Sequence, residues 1–377
     1  MEPASEPSGG EFYLGDAKGA TVRLTEAVMA EIDAEGPISF QKFFDTVLYH
    51  SDWGYYARPK QARTGKEGDF FTAVSVGPLF GRILAEYAFA VWQRMGEPAV
   101  FRVVEWGAEQ GDLAKDILAG GQEIGGGFAQ ALQYAVVEPL PHKKEALGKA
   151  LKGEQVVAQA AELEPQPGFV IGNELIDALS FWLLRWEKGQ WWEKCVNRES
   201  EGEGEGLKFE LTEPSAELSA RLALIEGEFC EGYETELRPS LAPLLAEMRS
   251  VLSEGEVLLF DYGFERADLY HPSRTTGTIR TYRRHQAAED PLEDLGQLDI
   301  TAHVDFTALA EDAQRVGLVP QRLVSQGSFL TQAAAGYLAG LEGRVDPDFI
   351  RQFQTLTHPA HLGSRFSVFR ALSVELV

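Results

Sequence analysis

Residues Phe101–Leu118, FRVVEWGAEQGDLAKDIL, set the reading of the whole chain. An apolar run (Phe101, Val103, Val104) closes on Glu105, Gly107 and Gly111 bracket a tight turn, and Asp112, Leu113, Ile117 and Leu118 open an amphipathic helix. A strand that passes through a glycine turn into a helix presents backbone N–H groups to a nucleotide-like ligand. The turn is imperfect, because Glu109 stands at the middle of its G-x-G-x-G spacing. The flanking sequence has to show whether such a turn still holds a cofactor.

Downstream the same alternation repeats. LQYAVVE ends in Glu138, PLPHKKEALGKAL is a crossover helix, Gln155–Ala158 is a short strand, and GFVIGNE ends in Asn173-Glu174. GEVLLFDYGF is a buried strand ending at Asp261, DFTALAEDAQRVGL a helix and LVPQRLVSQ a last strand. The tail from about Phe329 to Leu356 is helical, and RFSVFRALSVEL is placed at a sheet edge. Alternating strands and helices predict an α/β fold around a parallel sheet with right-handed crossovers. Upstream, helices are expected from Thr25, from Ser39 (as cap) to Tyr49, and from Pro78 to Trp92, with an aromatic, locally basic loop before the third. FWLLRWEKGQWWEKCVNRE alternates around Lys188-Gly189 as a hairpin, LKFELTE adds a third antiparallel strand, and 214–253 reads as helical. In that last stretch Glu226, Glu228, Glu231, Glu234 and Glu236 are expected on a solvated face. The stretch 264–305 is a long loop dense in Arg, Tyr, His and Asp. The expected organisation is a disordered 1–20, a helical region 21–98, a core formed by 99–178 and 251–377, and an insertion at 179–250.

Composition narrows the function. A net charge of −24 over 377 residues disfavours binding to nucleic-acid phosphates. No apolar run is long enough to span a bilayer, and MEPASEPSGGEFYLG lacks the basic and apolar regions of a secretory leader, so no membrane association is expected. Cys195 and Cys230 have neither metal nor redox spacing, which fits a reducing cytoplasm. No GxxxxGK[ST] or GxSxG motif is present, and His271, His285 and His303 lack HExxH spacing, so no metal site is expected. Gly107 and Glu138 stand farther apart than the roughly 20 residues of a dinucleotide fingerprint, which disfavours a nicotinamide enzyme.

Acids nevertheless close three of these strands. Glu105, Glu138 and Asn173-Glu174 should face one crevice at the carboxyl ends of a parallel sheet, and an acid after the second strand suits a ribose diol. At these residues the chain resembles the MidA-like class I S-adenosylmethionine-dependent methyltransferases, relatives of the mitochondrial complex I assembly protein arginine methyltransferase. The blocks are GDFFT (Gly68 to Thr72) with LFG (Leu79 to Gly81), VVEWGAEQGDL, and GNELIDAL (Gly172 to Leu179). FDYG (Phe260 to Gly263), GTIRTYRRH (Gly277 to His285), DPL (Asp290 to Leu292) and DITAHVDF (Asp299 to Phe306) complete the match. The resemblance implies a Rossmann-like seven-stranded sheet with N-terminal helices, an antiparallel edge strand and an inserted hairpin with helical segment. It implies S-adenosylmethionine as cofactor and an arginine-bearing protein substrate. Carried over by position, Glu105, Gly107, Gly111, Glu138, Asp69 and Thr72 would hold the cofactor. Asn173, Glu174 and Asp177 would be catalytic, and Tyr262, His303 and Asp305 would meet the substrate. Two departures, Glu109 for a glycine and Ala73-Val74-Ser75 for Ser-Pro-Glu, keep a second reading open: a degenerate methyltransferase fold acting as a non-catalytic binding or assembly factor. A small-molecule methyltransferase is a third. The oligomeric state is not legible.

Overall fold

The computed structural model describes residues 14–57, 72–199, 206–283, 286–288, 290–340 and 347–373. Helices α1 (Leu14–Glu35) and α2 (Phe40–Tyr49) open the described chain. The first begins well before Thr25, so residues 14–20, expected to be disordered, are helical; residues 1–13 and 68–71, with Asp69 among them, lie outside the described residues. Ser39 caps α2 as expected, accepting the Lys42 N–H, and Phe40, Phe43, Phe44, Val47 and Leu48 form its buried stripe.

The central sheet is built from α3 (Leu79–Arg94), β1 (Phe101–Trp106), α4 (Asp112–Ile124), α5 (Gly126–Ala131), β2 (Leu132–Val137), α6 (Pro141–Ala150), β3 (Gln155–Val157) and β4 (Gln166–Asn173). All six residues of β1 are buried, as in a parallel strand covered on both faces. Phe101 and Val103 join Leu84 of α3 and Ile117 of α4 on one face, whereas Val104 and Trp106 join Leu309 and Met248 on the other.

Between β4 and the next central strand lies a separate antiparallel sheet. β5 (Trp182–Glu187), β6 (Gln190–Glu199), β7 (Gly206–Thr212) and β8 (Glu234–Leu237) run in the order β7-β6-β5-β8, with α7 (Ala216–Leu222) before β8 and α8 (Ala242–Ser250) after it. The hairpin turns where expected, with Lys188 and Gly189 at φ 54° and 75°. β8 corrects the helical reading of 214–253: ETEL pairs with β5, and Glu236 is buried rather than solvated. The same sheet carries the N-terminal helices, since Phe40 and Phe44 pack on Phe181 at ring separations of 5.5 and 5.2 Å.

β9 (Leu252–Asp261) returns to the main sheet, whose order is Leu318–Pro320, Ser367–Ser373, β9, β4, β1, β2, β3. Those are the seven strands expected, and Val324–Ser325 adds an eighth beside Ser367–Ser373. The antiparallel strand Ser367–Ser373 is not at the edge. It lies between β9 and Leu318–Pro320, with Val368 buried in the core of one face and Phe369 in that of the other. Pro320, which lacks an N–H to donate, suits the outer position. The expected loop at 264–305 contains a three-stranded antiparallel sheet of Arg280–Arg283, Gln286–Ala288 and Asp299–Thr301.

Gly81, from the LFG block, marks the closest approach of α3 to α4: a Cβ there would stand 2.3 Å from Asp116 Cβ. Gly81→Ala is therefore expected to destabilise the fold by about 1–3 kcal/mol in chemical denaturation, the usual cost of overpacking. An unchanged midpoint would contradict that helix contact.

Candidate active site

A cavity of about 1080 Å³ opens where the parallel strands end. Glu105, Glu138, Asn173, Glu174 and Asp177 all line it, so the convergence read from the strand ends is present. Gly107, at φ 74°, lines it as well; a side chain there would be strained and would press on Leu175 at 3.3 Å. Gly111 does not line it. It caps α4 in a left-handed conformation, and a Cβ there would meet Leu151 at 3.1 Å, so this glycine serves the packing of the helix.

Glu109 adopts a left-handed φ of 47°, and Lys143 of α6 donates to its Oε1 at 2.7 Å. Lys143 also lies over the Tyr56 ring, 5.2 Å from its centre. The extra carboxylate at the turn is thus balanced by a cation that the glycine motif does not contain. Glu105 accepts the Tyr134 hydroxyl at 2.8 Å, and burial pushes its carboxyl up to about 7. Glu138 is buried beyond β2 and accepts the Leu140 N–H at 2.8 Å, which fixes its orientation.

The turn after β4 is strained and acidic. Glu174 has φ 52° and donates its N–H to the Phe260 carbonyl at 2.8 Å. Asn173 Nδ2 donates to Glu174 Oε1 at 3.2 Å. Asp261 supports the turn from below, accepting the Ile176 and Asp177 N–H groups at 2.7 and 3.2 Å. Burial lifts the Glu174 carboxyl well above its usual range, and the charges of Asp177 and Asp261 add to the rise. Burial raises Asp177 to about 6, with the Arg238 guanidinium opposing. Asn173 Oδ1 and Asp177 Oδ1 are buried acceptors with no hydrogen-bond partner among the described residues. Orphan acceptors of this kind mark a place for an external donor.

The opposite wall is aromatic. Tyr262 packs on Phe366 at 4.0 Å and lies nearly parallel to His303, whose ring is kept neutral because burial first, then nearby arginines, lower it to about 4. Asp305 is not in this wall: it caps the helix Phe306–Arg315, accepting the Ala308 N–H at 2.9 Å, and pairs with Arg266 at 3.3 Å. A helix start needs such an acceptor, and that local demand takes Asp305 away from the cavity. Thr72 reaches the cavity.

Several lining residues escaped the sequence reading. Tyr49 and Tyr56 stack at 5.1 Å, Tyr49 donating to the Ala178 carbonyl at 2.6 Å and Tyr56 to Asp299 Oδ1 at 2.7 Å. Their only sequence signal was the aromatic richness after α2. Lys143 had none, whereas Arg280, Tyr282 and Asp299 stand in the GTIRTYRRH and DITAHVDF blocks but were not singled out there.

A sheet of this order, with an acid closing β2 and a glycine turn after β1, is that of a class I S-adenosylmethionine-dependent methyltransferase fold. Residues 83–324 match the family described as "Putative S-adenosyl-L-methionine-dependent methyltransferase", and the chain belongs to it. The mitochondrial protein arginine methyltransferase NDUFAF7 homolog of Drosophila melanogaster is 27% identical, across 97% of this chain and 88% of that protein. The human mitochondrial protein arginine methyltransferase NDUFAF7 is 24% identical, across 94% and 85%. A Burkholderia thailandensis protein crystallised with S-adenosyl-homocysteine superposes with a TM-score of 0.83 at 29% identity, across 98% of this chain and 95% of that one. S-adenosylmethionine is accordingly the cofactor. The expectation of a cytoplasmic protein is overturned by the Drosophila and human relatives, which are named mitochondrial. Among the described residues no helix is long and apolar enough to cross a membrane, and both cysteines are free.

Removing Lys143 would take an ammonium away from the Glu109 carboxylate at the cofactor side. Lys143→Met is expected to weaken S-adenosylhomocysteine binding about fivefold in calorimetry, equivalent to about 1 kcal/mol, and Glu109→Gln in the same chain to restore it. Equal affinity in parent and single variant would contradict the compensation.

Proposed function

We propose that the chain methylates an arginine side chain of a protein. The carrying observation is the acid turn: Asn173 Oδ1 and Asp177 Oδ1 are acceptors without a partner among the described residues, beside the Glu174 carboxyl, in a cavity walled by Tyr49, Tyr56 and Tyr262. A guanidinium is planar, permanently charged and has five N–H donors to offer such acceptors. Tyrosine faces add cation–π attraction. The names of the relatives point to the same acceptor.

The cofactor fits the opposite half of the cavity. Glu138 would take the ribose hydroxyls, Glu105 and the Gly107 backbone the methionine moiety, and Thr72 would stand at the rim. Bound there, S-adenosylmethionine supplies an electrophilic methyl group on a sulfonium. The chain's own part is positioning and proton handling. Glu174 and Asp177 hold the guanidinium so that one terminal nitrogen faces the cofactor. A nitrogen that gains a methyl group must shed a proton, and these carboxylates are placed to accept it. Burial favours the neutral form of Glu174 most strongly, while Asp177, near 6, is mostly ionised at neutral pH; an arriving cation favours the charged forms of both. The non-catalytic reading rested on Glu109 and on Ala73-Val74-Ser75; the Lys143 pair weighs against the first ground and leaves the second standing.

Incubation with methyl-tritiated cofactor and an extract of the chain's own cells is expected to yield labelled methylarginine after total hydrolysis. Label confined to lysine or to small molecules would overturn the proposal. Asp177 must be ionised to bind the cation, so activity should be present above about pH 6 and fall as pH drops through that value. Glu174→Gln is expected to lower kcat by about 10²-fold or more with little change in S-adenosylhomocysteine affinity. A variant with wild-type turnover would remove Glu174 from the mechanism.

A further inference from the structure

The acceptor side of the cavity is held together by two residues of the inserted sheet. Glu236 lies in β8 and Arg238 just beyond it, two positions on and therefore on the same face of the extended chain. Both are buried. Glu236 accepts the Thr278 N–H on both oxygens at 2.9 Å, the Thr278 hydroxyl at 3.0 Å and the Ile279 N–H at 2.8 Å. Thr278 Oγ1 in turn accepts the His303 N–H at 3.0 Å.

Arg238 reaches further. Its Nε donates to the Ile176 carbonyl at 3.0 Å, and Nη2 to the Asp177 and Ala302 carbonyls at 2.7 and 2.8 Å. Nη1 donates to the His303 carbonyl at 3.2 Å. The guanidinium rests on the Phe181 ring at 5.3 Å. One planar fork thus bonds two segments far apart in sequence: the acid turn that ends at Asp177 and the Ala302–His303 segment of the aromatic wall. Only an arginine has the donors and planarity to satisfy four carbonyls from one buried position.

We infer that Arg238 is a positioning residue for the methyl acceptor, locking the acid turn to the Ala302–His303 segment and so setting the width of the subsite that takes the guanidinium. The inference rests on the arginine reading above for its acceptor, but the lock itself does not. Arg238 also supplies the positive charge nearest a crowded group of acids. Asp177 is faced by Arg238 and Asp261 from below, by Glu174 along its own turn, and by Tyr49, Tyr56 and Tyr262 across the cavity. Removing the cation takes away the largest influence that lowers the Asp177 carboxyl, leaving the backbone N–H groups of Ala178 and Asp177 against the burial that raises it.

The test compares Arg238→Met, which loses charge and donors, with Arg238→Lys, which keeps a charge but cannot span four carbonyls. Both are expected to bind S-adenosylhomocysteine within about twofold of the parent, since β1 and β2 do not depend on the lock. Methylarginine formation should fall at least about tenfold in kcat for both. The acid limb of the pH profile should move up by about one unit in Arg238→Met and much less in Arg238→Lys. In hydrogen–deuterium exchange, peptides covering 174–179 and 300–304 should lose protection together, while β1 and β2 keep theirs. An unmoved acid limb, loosening of only one of the two segments, or a loss of cofactor affinity parallel to the loss of turnover would overturn the inference. Should Arg238→Met fail to fold, Arg238→Lys carries the same comparison of the two segments. If the parent forms no methylarginine, the acceptor reading fails alone and the exchange result still decides the lock.

Discussion

The crevice follows from a constraint of topology. From β1 the chain moves outward through β2 to β3, then returns to place β4 on the other side of β1. The helix after β1 packs on one face of the sheet, and the residues that follow β4, Ile176 and then α8, pack on the other. Consecutive connections that leave in opposite directions cannot cover the ends of β1 and β4, and the gap between them is where ligands bind in open α/β sheets. Everything chemical in this protein stands around that gap. Glu105 and Gly107 come from one side of it, Asn173, Glu174 and Asp177 from the other, and Glu138 and Tyr262 from the next strands outward.

Much of this was legible in the residues. The strands of the central sheet announce themselves as apolar runs closed by an acid or an amide, because strands buried on both faces cannot alternate. Position in a loop was less legible than position in a strand. Gly111 and Asp305 have the residue types a site needs, yet each is claimed by a local task, packing on Leu151 in one case and capping a helix in the other. β8 was hidden because four residues in an acid-rich stretch carry too little pattern to distinguish strand from helix. Glu236 and Arg238 look like surface charges in sequence. Their burial depends on N–H and carbonyl groups supplied by distant segments, which no local pattern records.

Glu109 illustrates the same limit from the other direction. A glutamate in a left-handed turn costs about 1 kcal/mol or more in backbone energy and brings a charge to the cofactor side. Taken alone it counts against activity. Lys143, on the helix after the next strand, reverses that reading by placing an ammonium against it and against Tyr56. A defect in a motif is thus informative only together with its neighbours in space.

The N-terminal helices rest on the inserted sheet through Phe40, Phe44 and Phe181, and the same insertion supplies Glu236 and Arg238. The two halves of the crevice therefore rest on different supports within the chain. The wall that would hold the cofactor is made by the sheet common to the fold, and the wall that would receive the acceptor is suspended from the insertion and the helices it carries. A substitution in the inserted sheet can therefore shift the acceptor side of the crevice through Arg238 while the cofactor side, made by β1 and β2, keeps its place.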